Sequence, residues 1–399
     1  MNASIEVVSL GEAVKPTRPR VKPSDYPELP FIGMEHIEAH SMKLLGTVPA
    51  KTMKSSAVHF KAGDVLYGRL RPYLNKVYRP SFEGLCSAEF IVLPENDRLD
   101  GAYLQYFLNS GAFVRYATHQ NAGDRPRVDF DQLAAYKIPL PGIDDQRRVV
   151  AEIEKQFSRL DEALANVRSA MARLSAYRAS VLSGVQTGAI CEMNHGDWPA
   201  RTIEELATKV QYGSSAKTSA IGKGIPVLRM GNIENGELVL EDLKYLPINH
   251  AEFPELLLKP GDLLFNRTNS PELVGKVAVY RGNPSPCSFA SYLIRLRFTD
   301  EVVPDFVAYV LSSPFGRAWV RSVVSQQVGQ ANVNGTKLKT FQIRVPPVQA
   351  QRDLVAEGER HLSLIRIMEA QFVAAELRSD RLRNRLLARA FTGGVEGPM

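Results

Sequence analysis

From Val150 onward the apolar residues fall into a rhythm of threes and fours: Val150, Ile153, Phe157, Leu160, Leu164, Val167, Met171, Leu174, Val181 and Val185, with Arg178 the one polar interruption. That spacing puts every member on one stripe of a helix and predicts a coiled-coil seam. Asp144 and Asp145 stand at its start, where the helix dipole favours negative charge, and Gly184 and Gly188 supply a stop. At 1.5 Å per residue, about 40 residues make a helix roughly 60 Å long. A second stripe follows through Val355, Leu362, Ile365, Met368, Phe372, Ala375, Leu382 and Leu386. Neither stripe can stay in water, and the simplest partner of each is the other. Packed antiparallel, they predict a rod with a globular head at either end.

Outside these helices the pattern changes to short apolar runs divided by Gly, Pro and Asn. Strands are predicted at Ile32–Met34, Val65–Tyr67 and Glu89–Leu93, and at Val227–Met230, Leu263–Phe265 and Ser291–Phe298, with one helix after each set, Ala102–Ser110 and Asp305–Ser312. The Gly-Asp in FKAGDVLYGRL and LKPGDLLFNRT reads as a turn feeding a strand whose far end presents Arg69 or Arg267.

The two sets are copies. IPLPGIDDQRRVVAEI at 138–153 returns as IRVPPVQAQRDLVAEG at 343–358, so Gln146 matches Gln351 and Thr187-Gly188 match Thr392-Gly393 at an offset of 205. Upstream the offset drifts, from 196 at Met34 and Met230 to 201 at Cys86 and Cys287, as insertions in loops require. A period near 200 is a domain plus a connector, not a solenoid repeat. The predicted class is α/β (α+β): two mixed α/β domains, 1–141 and 189–346, separated by two long antiparallel coiled-coil helices, 142–188 and 347–399, with an internal pseudo-two-fold repeat.

Composition sharpens this modestly. The net charge is +6, and residues 1–141 and 191–346 each carry 17 basic and 15 acidic side chains. A polyanionic partner would therefore be gripped by both halves. No apolar run approaches the ~20 residues a bilayer requires, the first residues lack a signal-peptide pattern, and a cytoplasmic, membrane-free protein is expected. Cys86, Cys191 and Cys287 form no Cys-x-x-Cys pair and are expected to be reduced thiols, without disulfide or zinc.

Candidate chemistry lies in matched polar loops. GRLRPYLNKV holds Arg69, Arg71, Tyr73, Asn75 and Lys76, and NRTNSPELVGKV holds Asn266, Arg267, Thr268, Asn269, Ser270 and Lys276. A second cluster precedes the last strand of each half. In the first it is His119, Gln120 and Asn121 with Arg125 and Arg127; in the second, Gln326 and Gln327 with Gln330, Asn332, Asn334 and Lys337. Arg, Asn, Gln and Lys pair with base edges or phosphates, and an interleaved Tyr can stack. Any one of them is equally at home in a solvated loop. Their matched placement in two copies points to a ligand.

These strings also carry a family likeness. GDVLYGRLRPYLNKV followed by CSAEFIVLPE, GIPVLRMGNI followed by GDLLFNRTNSPELVGKVAVY, and PLPGIDDQRRVVAEIEKQFSRLDEA resemble the DNA-specificity subunit of type I restriction-modification systems, over essentially the whole chain. The resemblance implies two target-recognition domains, each reading one half of a split, asymmetric site on double-stranded DNA. It implies helices that act as ruler and as docking surface for two modification subunits, which carry S-adenosylmethionine and methylate adenine, and for restriction subunits that add ATP- and Mg2+-dependent steps. The chain itself would be non-catalytic and bind no cofactor. Two departures stand out: Gly358, Glu369 and Glu376 replace Ile153, Leu164 and Met171 in the second helix, and the recognition loops differ between halves.

Enzymatic alternatives find little support. Asn269-Ser270-Pro271-Glu272 lacks the second proline and the aromatic of an amino-methyltransferase loop. GSSAKTSAIGKG at 213–224 is no nucleotide-binding loop and reads better as a DNA-facing loop around Lys217. His36 and His40 have a helical metal spacing but lie at a strand end, where the second copy has Asn232 and Gly236. Two other classes remain: an assembly scaffold whose heads read protein surfaces, and a self-sufficient methyltransferase, which would bind S-adenosylmethionine unaided.

Overall fold

The computed structural model describes residues 5–392 apart from 18, 121, 122, 195, 221, 223, 271, 272, 328 and 329, and apart from the side chains of 269, 325–327, 330 and 392. Two compact units divide the chain, one from 1–167 with 373–399, the other from 168–372. Each unit thus holds half of each long helix, Ile143–Thr187 and Val348–Thr392, which are 45 residues apiece.

Both units are built alike. A first strand, Glu6–Ser9 or Ala200–Thr202, pairs antiparallel with the last, Lys137–Leu140 or Gln342–Arg344, next to the start of a long helix. Ser9 and Thr202 each end the first strand by opening a short helix through a capping box with Glu12 and Glu205. The central ladder sets Val65–Gly68 between Phe90–Leu93 and Val77–Tyr78, and Leu263–Asn266 between Leu293–Phe298 and Val277–Val279. Gly63 and Gly261 enter it with φ of +94° and +92°, a left-handed turn that suits glycine. A second sheet contains a parallel pair in each unit, Phe31 opposite Leu85 and Val227 opposite Ser288. These strands, Pro30–Ile32 and Ile225–Leu228, end before Met34 and Met230, which begin tight turns instead. His36 Nδ1 and Asn232 Oδ1 close those turns by accepting the amide three residues earlier, at 2.9 Å in both copies.

Two helices, not one, follow each ladder: Gly101–Leu108 then Gly111–His119, and Pro304–Ser312 then Pro314–Val323. The break is a serine, Ser110 or Ser313, whose hydroxyl caps the second helix. Leu104, Leu108, Phe113 and Val128 pack on the ladder in the first unit, and Phe306, Val310, Val320 and Phe341 do so in the second. Cys86 and Cys287 are buried at corresponding places, and burial pushes both thiols above their ordinary range, Cys287 to about 12.

The start of each long helix is anchored identically. Gln146 Oε1 accepts from the Asp100 amide at 2.9 Å while Nε2 donates to the carbonyls of Arg98 and Pro141. Gln351 does the same with Val303, Glu301 and Pro346, and both glutamines are fully buried. One amide thereby satisfies three backbone groups that burial would otherwise penalise.

Along the helices, Ile153 and Phe157 pack with Leu386 and Leu387 in the first unit, and Leu174 and Val181 with Leu362 and Ile365, beside Phe372, in the second. Leu160, Leu164, Val167 and Met171 are half-buried. Arg178, the polar interruption of the first stripe, meets Glu369, a departure of the second, at 2.7 Å. Gly358 is small because the helices nearly touch there: a Cβ would lie 2.8 Å from Val185 Cγ2. Leu382, expected in the seam, faces solvent at 40% exposure, as does Met368, while Ser379 is 6% exposed. The buried line continues through polar residues, Glu369, Ser379 and Arg383, so selecting only apolar positions leaves the stripe. Arg383 earns its place by lying 4.8 Å over the Phe157 ring while pairing with Asp161.

Candidate nucleic-acid interface

In the first unit the strand Val65–Gly68 delivers Arg69 to a junction of three segments. Its amide donates to the Glu89 carbonyl at 2.9 Å, and its own carbonyl accepts from the Val128 amide at 3.1 Å. Leu70 bridges Arg127, and the Arg71 amide reaches Pro126 O, so the loops carrying Arg69, Arg71, Arg125 and Arg127 meet although they are distant in sequence. Arg71 adopts φ +52° to enter the turn Pro72–Leu74, which leaves Tyr73 exposed. Asn75 turns inward to Asn109 at 2.8 Å, a structural contact. Lys76 Nζ donates to the Met34 carbonyl at 2.6 Å.

Two carboxylates missing from the sequence-based set hold these arginines. Asp129 pairs with Arg69, and Glu89 with Arg127 at 2.6 Å. Gln132 accepts from the Asp129 amide and donates to the carbonyl of Gln120, which ends the helix Gly111–His119. Arg125 is exposed, and Asn121 lies outside the described residues.

The second unit repeats the junction with other side chains. Arg267 donates its amide to Tyr292 O at 3.0 Å and accepts from the Val333 amide at 2.9 Å. Its guanidinium lies 4.9 Å over Tyr212, whose hydroxyl accepts from the Gly335 amide, and donates to Ser291 O at 3.3 Å. In both units the arginine Nε is buried without an acceptor among the described residues. The polar segments expected as loops form a ribbon here: Thr268–Asn269 pairs with Gln330–Asn332, which pairs with Ser325–Gln327. The backbones of Asn269, Gln326, Gln327, Gln330 and Asn332 are thus side by side, while the side chains of all but Asn332 lie outside the described residues. Asn334 caps the helix Gly335–Lys339 by accepting the Lys337 amide, and Lys337 Nζ donates to Val323 O at 2.6 Å, so both are engaged in the fold. The Ser270 carbonyl accepts from Leu273 and Val274 in a turn beside residues outside the description. Lys217 is exposed on its loop, and Lys276 lines an open cleft of about 340 Å³ with Arg229, Met230 and Tyr292.

Each unit therefore presents arginines on a strand end clamped between two other segments, a rigid platform for hydrogen bonds to an anionic, edge-bearing ligand. Among the described residues no group of three or more metal-ligating side chains comes together, and no helix is long and apolar enough to cross a membrane.

Comparison with known proteins agrees with this chemistry. Residues 195–370 match the model of the type I restriction modification DNA specificity domain. The chain is 26% identical, over 78% of its length and 68% of the relative's, to the type I restriction enzyme EcoKI specificity subunit of Escherichia coli K12. A chain solved in work on complex assembly and conformational transition of the type I R-M system matches with a TM-score of 0.80 at 21% identity, covering 97% of both chains. The HsdS subunit from Thermoanaerobacter tengcongensis matches with a TM-score of 0.58 at 21% identity, covering 99% of this chain and 98% of that one. At these identities the solved structures speak to the fold.

Proposed function

The chain belongs to the family of type I restriction-modification DNA-specificity subunits, and from that premise we propose that it reads a bipartite, asymmetric duplex site, one half-site for each of the regions 1–141 and 189–346. It is a recognition subunit and not an enzyme. The long helices, 142–188 and 347–399, set the spacing and dock two modification subunits, with restriction subunits joining the assembly. S-adenosylmethionine, ATP and Mg2+ belong to those partners.

The observation that carries this reading is the repeated arginine junction: Arg69 held between Glu89 and Val128, Arg267 between Tyr292 and Val333. A guanidinium on so fixed a backbone can present its fork to guanine O6 and N7. In the first unit Asp129 holds the fork until DNA replaces it, and the acidic partner rejects non-specific phosphate contact.

The test is selection of duplexes from a random library by the chain assembled with its modification subunits, followed by salt titrations of Arg69→Ala and Arg267→Ala. Each substitution is expected to cost about 1–3 kcal/mol and to relax preference at one base pair of one half-site. Uniform weakening with a salt slope shallower by about one identifies a phosphate contact instead. Unchanged affinity in both variants rejects the placement of these arginines on DNA.

A further inference from the structure

Beside Arg267, in the second unit, three large apolar side chains stand in the open around one cleft: Met230, Leu273 and Tyr292, at 37%, 39% and 48% exposure. Ile233 closes the floor, and three charged residues stand on the rim: Lys276, Glu234, and Arg229, which also donates to the Asp242 carbonyl at 2.8 Å. Exposed apolar clusters rimmed by polar groups mark recognition surfaces. This one adjoins the arginine junction directly, because Tyr292 supplies the carbonyl that receives the Arg267 amide.

The first unit differs at one of these positions: the half-buried Met34 and the exposed Tyr73 stand where Met230 and Leu273 do, but no aromatic corresponds to Tyr292. Its counterpart of Tyr292 is Glu89, whose carbonyl receives the Arg69 amide in the same way but whose carboxylate binds Arg127. Its counterpart of Lys276, Lys76, donates to the Met34 carbonyl. One junction is flanked by an ion pair, the other by an apolar cup with a rim of mixed charge.

Resting on the DNA-reading function proposed above, we infer that the Met230–Leu273–Tyr292 cup recognises the 5-methyl group of a thymine in the half-site read by the second unit. The chemistry narrows the ligand. On the major-groove edges of the four base pairs, hydrogen-bond donors and acceptors are everywhere and the thymine methyl is the single apolar group. An apolar cup on a surface facing that groove has this group to receive. On the rim Arg229 and Lys276 match the phosphates that flank it, while Glu234 keeps phosphate from its own side of the cup. The carboxylate at Glu89 would instead accept from a cytosine amino group or exclude a phosphate, so the two half-sites differ at corresponding positions.

The test uses the chain assembled with its modification subunits and the duplex chosen from the random library. Each thymine of the second half-site is replaced in turn by deoxyuridine, which removes the methyl and leaves every hydrogen-bonding group. Burial of one methyl predicts that binding weakens about fourfold at one position and stays unchanged elsewhere. Tyr292→Ala is expected to bind the thymine and deoxyuridine duplexes alike, while Tyr292→Phe, which keeps the ring, retains the discrimination. A half-site without thymine, deoxyuridine tolerated at every position, or discrimination surviving in both Tyr292→Ala and Met230→Ala overturns the proposal while leaving DNA reading intact. A library from which no duplex is enriched overturns the DNA reading itself, and the cup with it.

Discussion

Replacing Asp262 by alanine is expected to destabilise the second unit by about 3–5 kcal/mol, the cost of stranding a buried charge. Asp262 is 1% exposed and accepts a two-pronged bond from Arg297, Nε and Nη2 each at 2.7 Å. Arg295, with no exposure at all, lies 3.7 Å away; its guanidinium donates to the Leu257 and Glu255 carbonyls and to Gln211. Those acceptors are neutral, so among the described residues Asp262 is the carboxylate that bonds Arg297 and lies in ion-pairing range of Arg295. Its loss also removes the acceptor of the Lys259 amide. For a unit of this size the penalty corresponds to a drop in Tm on the order of 10 °C, readable by calorimetry.

The repeat supplies a control. Asp64 makes the same turn, accepting the Lys61 amide at 2.8 Å, but among the described residues no arginine pairs with it, and burial raises its carboxyl above the ordinary range. A carboxyl whose folded pKa lies above its unfolded value contributes most when protonated and loses that contribution as pH rises through the folded value. Asp64→Asn keeps the acceptor and removes the charge, so stability at neutral pH should hold or rise. A loss equal to that of Asp262→Ala contradicts the assignment.

A matched insertion of four residues, after Ser169 in the first long helix and after Phe372 in the second, is expected to widen the preferred gap between half-sites by about two base pairs. The added turn lengthens the helices by ~6 Å, against ~3.4 Å of rise per base pair. Both insertions fall where the two compact units divide the helices, so the contacts of Ile153 and Phe157 with Leu387, and of Leu174 and Val181 with Leu362, survive within each unit. Four residues are preferable to seven because they turn the helix by about 40° beyond a full circle, in the same sense as the ~70° turned by two base pairs. Methylation of duplexes that differ only in gap length is the readout. An unchanged preferred gap in an active complex removes the helices as the ruler.

The long helices, the duplication and the two mixed domains were legible because they rest on periodicity, which a single chain displays. Gln146 and Gln351 were visible as a match, yet their role was not, since the carbonyls they serve are brought in by folding. The same limit hid the carboxylates: Asp129 lies 60 residues from Arg69. In the second half the Gln- and Asn-rich segments form a ribbon against their own propensities because Thr268 and Asn332, far apart in sequence, pair. Nothing in the sequence marks Met230, Leu273 and Tyr292 as a surface cup, because apolar residues read as core until their exposure is known. Leu382 is the opposite case, an exposed apolar residue on a helix whose buried stripe is partly polar.

The most direct test of the central claim, that each half reads its own half-site, is to replace residues 191–346 with the matching region of a relative and map the methylated positions across the host genome. The account predicts a new sequence in one half-site, with the other half-site and the gap retained. New sequences in both half-sites would contradict it.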